Sequence, residues 1–301
     1  MSIQNSTQQL IDHLVNIRAK EYAEAARRFQ AHSAKEKKRA EASEKKQLQL
    51  LDSIGIKKNV LDREQRSGAV ELKTFLEEAR ASVAKRAGSR AVDGKYRAEL
   101  TAQFGDGTKV VPPYGVFVPP DNPTGGISSG WIFTDGSPIK MKDSDTGSGT
   151  GLGLWATAKA FTPQDVVFTF VPAQTASYEM TAVLAFHGFY VLRSDDGFFT
   201  SKHAYVDLRV SMNVHQFVDF QWKQFPYPIQ RDEQNINEFD NFDRTFFFDY
   251  TAPLRAGDPV VVTARIEIVA GASGGGSYAE LNFADGTANY IQPLFLSVTT
   301  I

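Results

Sequence analysis

The residues best suited to bind a ligand lie in a proline-flanked segment, KQFPYPIQRDEQNINEFDNFDRTFFFDY, at 223–250. It holds a tyrosine between two prolines, followed by an acidic stretch with two phenylalanines. Aromatic faces can stack under a sugar ring while carboxylates accept hydrogen bonds from its hydroxyls, and both can meet a basic patch on a protein. We predict a site for a glycan or a protein receptor formed by Tyr227, Phe239, Asp240, Phe242 and Asp243. The alternative is that Phe239 and Phe242 pack inward and hold a long loop.

A second segment with suggestive chemistry is KDSDTGSGTGLGLW at 142–155, where two aspartates precede four glycines at alternate positions. A calcium loop of the EF-hand type requires glutamate at its twelfth position, but counting from Asp143 that position is Leu154. A dinucleotide-binding glycine loop must open a helix, whereas the strand-like sequence TPQDVVFTFV comes next here. We therefore predict an exposed hinge or a long connector between strands.

Residues that could catalyse a reaction show no diagnostic spacing. GISSG at 126–130 and GASGG at 271–275 match the pattern of a nucleophile elbow. A true elbow lies at a strand-to-helix turn, and the first of these segments instead precedes a strand-like sequence. The five histidines have no short-range metal spacing, and the chain has no cysteine. We predict a non-enzymatic protein with no catalytic residues, no metal and no cofactor, and a hydrolytic enzyme is the weakest alternative.

Charged, proline and aromatic residues divide the chain into two parts. Residues 1–95 carry 20 basic and 13 acidic residues, a net charge of +7, whereas residues 96–301 carry 13 and 22, a net charge of −9. All 13 prolines lie at or beyond Pro112. Such a split is typical of two regions with different architectures. We predict a helical assembly or stalk module at 1–95 and a β-sandwich domain at 96–301.

The N-terminal region has the apolar spacing of two helices. Apolar residues recur three or four apart from Ile11 to Phe29 and again from Leu72 to Val83, and Gly55 is placed to end the first helix. We predict helices over residues 7–54 and 60–87, about 70 and 40 Å long, folded as an antiparallel hairpin.

The first helix is too polar to be stable without packing partners. Residues 30–46 contain nothing apolar except alanine, so a continuous coiled coil is not sustained there. We predict a homo-oligomer formed through the apolar positions of both helices, namely Ile11, Val15, Tyr22, Phe29, Leu72, Leu76 and Val83.

The remainder of the chain alternates apolar and polar residues as strands do. In AYVDLRVSMNVHQFVDFQW, residues 204–222, nearly every even position is apolar, which predicts one face in a core, the other in water, and a bend near Gln216–Phe217. The segment 260–268 alternates similarly, with Arg265 on the face assigned to water. Turn-rich sequences separate further candidate strands at 114–118, 131–134, 166–171, 178–186, 244–250, 278–283 and 290–298. The predicted fold class is α+β multidomain, a long helical hairpin or stalk followed by an antiparallel, jelly-roll-like β-sandwich. The pattern does not distinguish a jelly roll from an immunoglobulin-like topology.

This layout, which many viral and surface-appendage proteins share, favours a structural or adhesive function. The helices would assemble or anchor the protein, and the sandwich would pack or bind a receptor or glycan. A pore-forming toxin is the alternative, because 204–222 is long enough to cross a membrane as an alternating strand.

Partners and location are predicted from what the sequence lacks. The basic run at 35–39 is interrupted by glutamate and has no aromatic neighbour, so no nucleic-acid partner is expected. MSIQNSTQQL has no signal-peptide features, and no stretch is apolar enough to span a membrane. We expect synthesis in the cytoplasm without a signal peptide, and release in a particle, by lysis or by non-classical export.

Overall fold

The computed structural model describes residues 3–84, 99–104, 107–118, 130–133, 138–147, 161–196, 201–217 and 219–301. Two long helices, α1 (Ile3–Ser53) and α2 (Lys58–Ala84), precede two antiparallel sheets. The first sheet contains β1 (Lys109–Val111), β4 (Met141–Thr146), β6 (Ala176–Arg193), β10 (Asn237–Leu254), β12 (Tyr278–Phe283) and β13 (Tyr290–Thr300). The second contains β2 (Gly115–Val118), β3 (Gly130–Phe133), β5 (Thr162–Phe170), β7 (His203–His215), β8 (Lys223–Gln224), β9 (Ile229–Glu233) and β11 (Val260–Ser273).

The two antiparallel sheets form the predicted sandwich, and their strand order is that of a jelly roll, a topology that the sequence pattern left open. Across the first sheet, β1, β13, β6 and β10 lie side by side, and across the second sheet β5, β11, β7 and β9 do so. When these eight strands are numbered along the chain, the orders are 1-8-3-6 and 2-7-4-5. Along these eight strands, every connection except that from β7 to β9 crosses to the facing sheet, which is the pattern of two Greek keys in a jelly roll.

The core lies between the two sheets and is built from strand alternation. The even positions of β7, including Val206, Leu208 and Val210, are fully buried and face Leu184 and Phe186 of β6 in one cluster. Burying each such side chain stabilises the fold by about 1.5–3 kcal/mol. The predicted bend near Gln216–Phe217 is confirmed, but the predicted continuation of the strand is wrong: β7 ends at His215, and the chain turns back so that β8 pairs with it.

The two helices pack on opposite sheets. Ile11 and Leu14 of α1 form a cluster with Val167 and Val261 of the second sheet. Leu72 and Ala79 of α2 pack instead with Phe189, Val191 and Tyr278 of the first sheet. These side chains are therefore buried by the two sheets, and not by the predicted packing of one helix on the other. No helix in the described ranges has the length and apolar content needed to span a membrane.

A stack of cations and aromatic rings holds α1 on the second sheet. The guanidinium of Arg265 lies 4.4 Å from the ring centre of Tyr22 in α1 and 4.2 Å from that of Trp222. It also donates hydrogen bonds of 2.8 and 3.1 Å to the two carboxylate oxygens of Asp165. The expectation that Arg265 faces water is therefore wrong, because α1 covers this face of β11.

Arg18 of α1 is a second cation against the Trp222 ring. Its guanidinium carbon lies 4.7 Å from the Trp222 ring centre, and the same group donates to Asp219 at 3.0 Å and to Asn213 at 3.1 Å. Burial alone would raise the pKa of Asp219, but hydrogen bonds with His215 and Arg18 and the positive charge of Arg18 lower it. Arg18 and Arg265, which are far apart in the sequence, thus both pack against the ring of Trp222.

The aspartate-rich segment at 142–146 is strand β4, not part of a connector. Asp143 Oδ2 accepts the backbone N–H of Ala270 at 2.9 Å, and Asp145 Oδ2 accepts that of Ala272 at 3.0 Å. These N–H groups need partners because β5, which pairs with β11, begins opposite Ile268. The two-residue spacing therefore matches alternate N–H groups of a strand. Residues 148–155 of the predicted connector and 126–129 of GISSG lie outside the described residues.

Candidate functional site

The predicted binding segment is largely strand β10, so its residues point to two different faces. Phe242 is buried in the main core and stacks on Phe246 at 6.0 Å, which removes it from the predicted site. Phe239 lies on the opposite, outer face, half-buried and 5.8 Å from the ring of Phe189. The inward-packing alternative is therefore correct for Phe242.

The three polar members of the predicted site do not converge. Asp240 is exposed, and its Oδ1 accepts the backbone N–H of Asn241 at 2.8 Å. Asp243 Oδ1 lies 3.0 Å from Nδ1 of His187, on the same outer face as Phe239. Tyr227 is half-buried and lies two residues before β9, which is a strand of the second sheet. The structure thus groups Phe239 with Asp243 and separates both from Tyr227.

Most of the predicted oligomerisation residues are packed within the single chain. Ile11 and Val15 lie against the second sheet, and Leu72 and Leu76 against the first. Tyr22 donates a hydrogen bond of 2.7 Å to Asp165 Oδ1, and burial raises its pKa well above the usual value. Phe29 is half-buried, and the side chain of Val83 lies outside the described part. Self-association stays a prediction. The apolar side chains proposed for it are largely packed against the chain's own sheets.

The outer face of the first sheet carries a cleft of about 410 Å³, called here the outer cleft. One wall is α2, the other is the turn between β12 and β13, and the base is formed by β4, β6 and β12. It is lined by Arg80, Lys142, Ser144, Phe189, Tyr278, Glu280 and residues 285–289. The outward residues of a strand alternate with buried ones, so the same strands that build the core place these groups in the cleft.

A continuous hydrogen-bond network fixes the acidic side of the outer cleft. Glu280 accepts from the Tyr278 hydroxyl at 2.7 Å and from Asn282 Nδ2 at 2.6 Å. Asp285 accepts from Asn282 Nδ2 at 2.8 Å and from Lys142 Nζ at 3.1 Å. These donors lower the pKa of Asp285 against the opposing effect of burial, and burial and Glu280 raise the pKa of Tyr278. The cleft therefore places the ionised carboxylate of Asp285 and the side chain of Glu280 beside the neutral phenol of Tyr278.

Arg80 supplies a cation to the opposite wall of the outer cleft. It lies in the last turns of α2, and its side chain is exposed. No carboxylate of the described residues forms an ion pair with it, whereas Lys142 is paired with Asp285. The guanidinium is thus placed to donate hydrogen bonds to a ligand in the cleft.

Sequence reasoning missed the outer cleft. Tyr278 and Glu280 alternate with apolar residues in the predicted strand 278–283, so their shared outward face was a usable signal. The position of α2 beside that face could not be predicted, because the apolar spacing of a helix does not indicate which sheet the helix packs on.

A second, more apolar cleft of about 590 Å³ opens at one end of the sandwich, called here the end cleft. The exposed ring of Phe217 stands at its rim, 5.7 Å from the guanidinium carbon of Arg255. Gln216 also lines it, but its amide donates to the carbonyl oxygens of Arg255 and Asp258 at 2.8 and 3.2 Å. This cleft therefore offers an aromatic surface with few polar groups available to a ligand.

Comparisons with known proteins give only structural likenesses. No protein-family model matches the chain, and no curated protein matches it. Among solved structures, the isomalto-dextranase of Arthrobacter globiformis T6 in complex with panose is 12% identical with a TM-score of 0.21, over 64% of this chain and 23% of that one.

Two carbohydrate-binding modules are matched over most of their own lengths. A family 35 module from an environmental isolate is 14% identical with a TM-score of 0.19, over 62% of this chain and 96% of that one. TmCBM61 in complex with β-1,4-galactotriose is 8% identical with a TM-score of 0.19, over 65% and 90%. Because these TM-scores are low, the function is inferred from this chain's own residues.

Proposed function

We propose that this chain is a non-enzymatic adhesive protein whose jelly-roll sandwich binds a glycan in the outer cleft. The observation that carries the proposal is the presence, in one cleft of about 410 Å³, of two cations, two carboxylates and two aromatic rings. Small-molecule sites have volumes of about 300–1,000 Å³ and a few convergent polar groups.

The chemistry of a sugar matches these groups. Each sugar hydroxyl both donates and accepts, so it needs acceptors such as Glu280 and Asp285 together with donors such as Arg80. Charge-assisted hydrogen bonds to such groups are about twice as strong as neutral ones. The rings of Phe189 and Tyr278 at the base are 6% and 9% exposed, so they offer only a small apolar surface to the C–H face of the sugar, and the charged groups would supply most of the binding.

The helices serve as the attachment part in this proposal. Between Tyr22 and Leu61 no side chain of α1 or α2 is buried, so this length of helix is free to meet another surface. Anchoring or self-assembly would then hold many sandwich heads together, and multivalent display raises the avidity of weak glycan binding by about 10²–10⁴.

A glycan array followed by calorimetric titration of the best oligosaccharide tests the sandwich site. Glu280→Gln and Arg80→Ala should each weaken binding by about tenfold or more, since each removes a charged partner worth about 1.5–3 kcal/mol. Arg66→Ala, an exposed arginine on α2 outside the outer cleft, is the matched control and should bind normally.

Phe217→Ala separates the two clefts. Loss of binding in this variant, with normal binding in the Glu280 and Arg80 variants, would place the glycan in the end cleft and overturn the proposal. Absence of any oligosaccharide binding by the folded chain would remove the glycan altogether.

A further inference from the structure

The connection between the two helices is a fixed turn. Gly55 has a φ of 89°, and its N–H donates to the carbonyl oxygen of Asp52 at 3.1 Å. The N–H of Ile56 donates to the carbonyl oxygen of Leu51 at 2.9 Å. These are the two hydrogen bonds of a Schellman motif, which ends a helix in a defined conformation. The backbone around the turn therefore has a defined conformation.

This turn exposes aliphatic side chains away from the sandwich. Leu50, Ile54 and Val60 are 62%, 65% and 44% exposed. Gly68 of α2 lies against Gly276 of the sandwich, where a Cβ on Gly276 would come within 3.0 Å of it. Val60 precedes Gly68 by eight residues, so it stands about 12 Å beyond that contact. We call residues 45–66, which surround the turn, the interhelix tip.

The interhelix tip is also basic. It contains three acidic residues and six basic ones, all six exposed, for a net charge of +3: Lys45, Lys46, Lys57, Lys58, Arg63 and Arg66. One acidic residue, Asp52, is already paired with Lys57 at 2.8 Å. Aliphatic side chains at a projecting turn are thus surrounded by positive charge.

We propose that the interhelix tip docks on an anionic phospholipid membrane. Apolar side chains enter the boundary between headgroups and acyl chains, while lysine and arginine bind anionic headgroups. A second copy of the chain fits less well, because three aliphatic side chains cover far less than the roughly 800 Å² per partner of a stable interface. Two tips of net charge +3 would also repel each other. This inference does not depend on the glycan site.

Vesicle co-sedimentation of the full-length protein tests the proposal. Vesicles of phosphatidylcholine with about 30 mol% phosphatidylserine should bind the protein at least about tenfold better than phosphatidylcholine alone, and salt should weaken the binding. The triple variant Leu50→Ser/Ile54→Ser/Val60→Ser should lose about tenfold or more of this binding. Val70→Ser changes a valine of α2 that is 69% exposed but lies outside the tip, and this variant should bind as the parent does.

Three results would overturn the proposal. The first is equal binding to both kinds of vesicle, or none at low salt. The second is an equal loss in the Val70→Ser control. The third is a dimer in light scattering, without vesicles, that the triple variant abolishes, since the tip would then bind a second copy. Circular dichroism confirms that each variant keeps its helices.

Discussion

Replacing Arg265 by methionine removes the centre of the stack that holds α1 on the second sheet. Arg265 lies between the rings of Tyr22 and Trp222 and is paired through two hydrogen bonds with Asp165. Methionine keeps most of the aliphatic volume, so the change isolates the charge and its hydrogen bonds.

The expected cost follows from the burial of Asp165. Its side chain is only 2% exposed, and removing one partner of a buried ion pair costs about 3–5 kcal/mol. The Tyr22 hydroxyl still donates to Asp165 at 2.7 Å, which keeps the cost toward the lower end. Loss of the two cation–π contacts adds about 1 kcal/mol. We expect a loss of about 4 kcal/mol in the free energy of unfolding.

Urea denaturation followed by circular dichroism measures this loss, and Arg255→Met is the matched control. Arg255 also lies near an aromatic ring, Phe217, and a carboxylate, Asp258, but its side chain is 71% exposed. The control should therefore lose less than about 0.5 kcal/mol. The double variant Asp165→Asn/Arg265→Met should be more stable than Arg265→Met alone, since it removes the unpaired charge. Equal losses in Arg265→Met and Arg255→Met would refute the reasoning.

Two further changes probe other parts of the sandwich. Burial, and then the charge of Asp232, raises the pKa of Asp207 to about 6, so its ionised form destabilises the fold above that pH and not below the ordinary value. Asp207→Asn should thus raise the free energy of unfolding by about 1 kcal/mol near pH 8, after allowance for partial exposure, and by almost nothing at about pH 3, below the ordinary pKa. Equal gains in denaturation curves at both pH values would contradict this. A Cβ at Gly271 would lie 2.2 Å from the Tyr205 ring, so Gly271→Ala should lower the thermal midpoint, and much less so when Tyr205→Ala is also present. An equal drop in both backgrounds would show that the ring is not the cause.

The sandwich could be predicted from sequence because its strands alternate. The alternate spacing of Val206, Leu208 and Val210 predicts a buried face, and all three side chains are buried in the structure. Strand β4 was not predicted, because Asp143 is polar although it lies on the inward face of the strand, so the apolar alternation is broken. Its burial is compensated by an N–H group more than a hundred residues away, which no local pattern reveals.

The helix contacts and the candidate site depend on pairings that are distant in sequence. The apolar spacing of Ile11 and Leu72 predicts a buried face on each helix but does not say that the two faces meet opposite sheets. The composition of the acidic aromatic segment predicted Phe242 as a binding residue, but its position in the alternation of β10 places it in the core. Arg80 and Glu280, two hundred residues apart, line one cleft only after the sandwich and α2 have packed.

Amide hydrogen exchange of the full chain, with and without the best-binding oligosaccharide, tests the glycan proposal most directly. Glycan binding in the outer cleft predicts slower exchange at 284–289 and in the last turns of α2 around Arg80, which are the two walls of the cleft, and in β12 at its base. Slower exchange confined to 171–177 and 253–258, at the end cleft, or no change anywhere at saturating sugar, would contradict it.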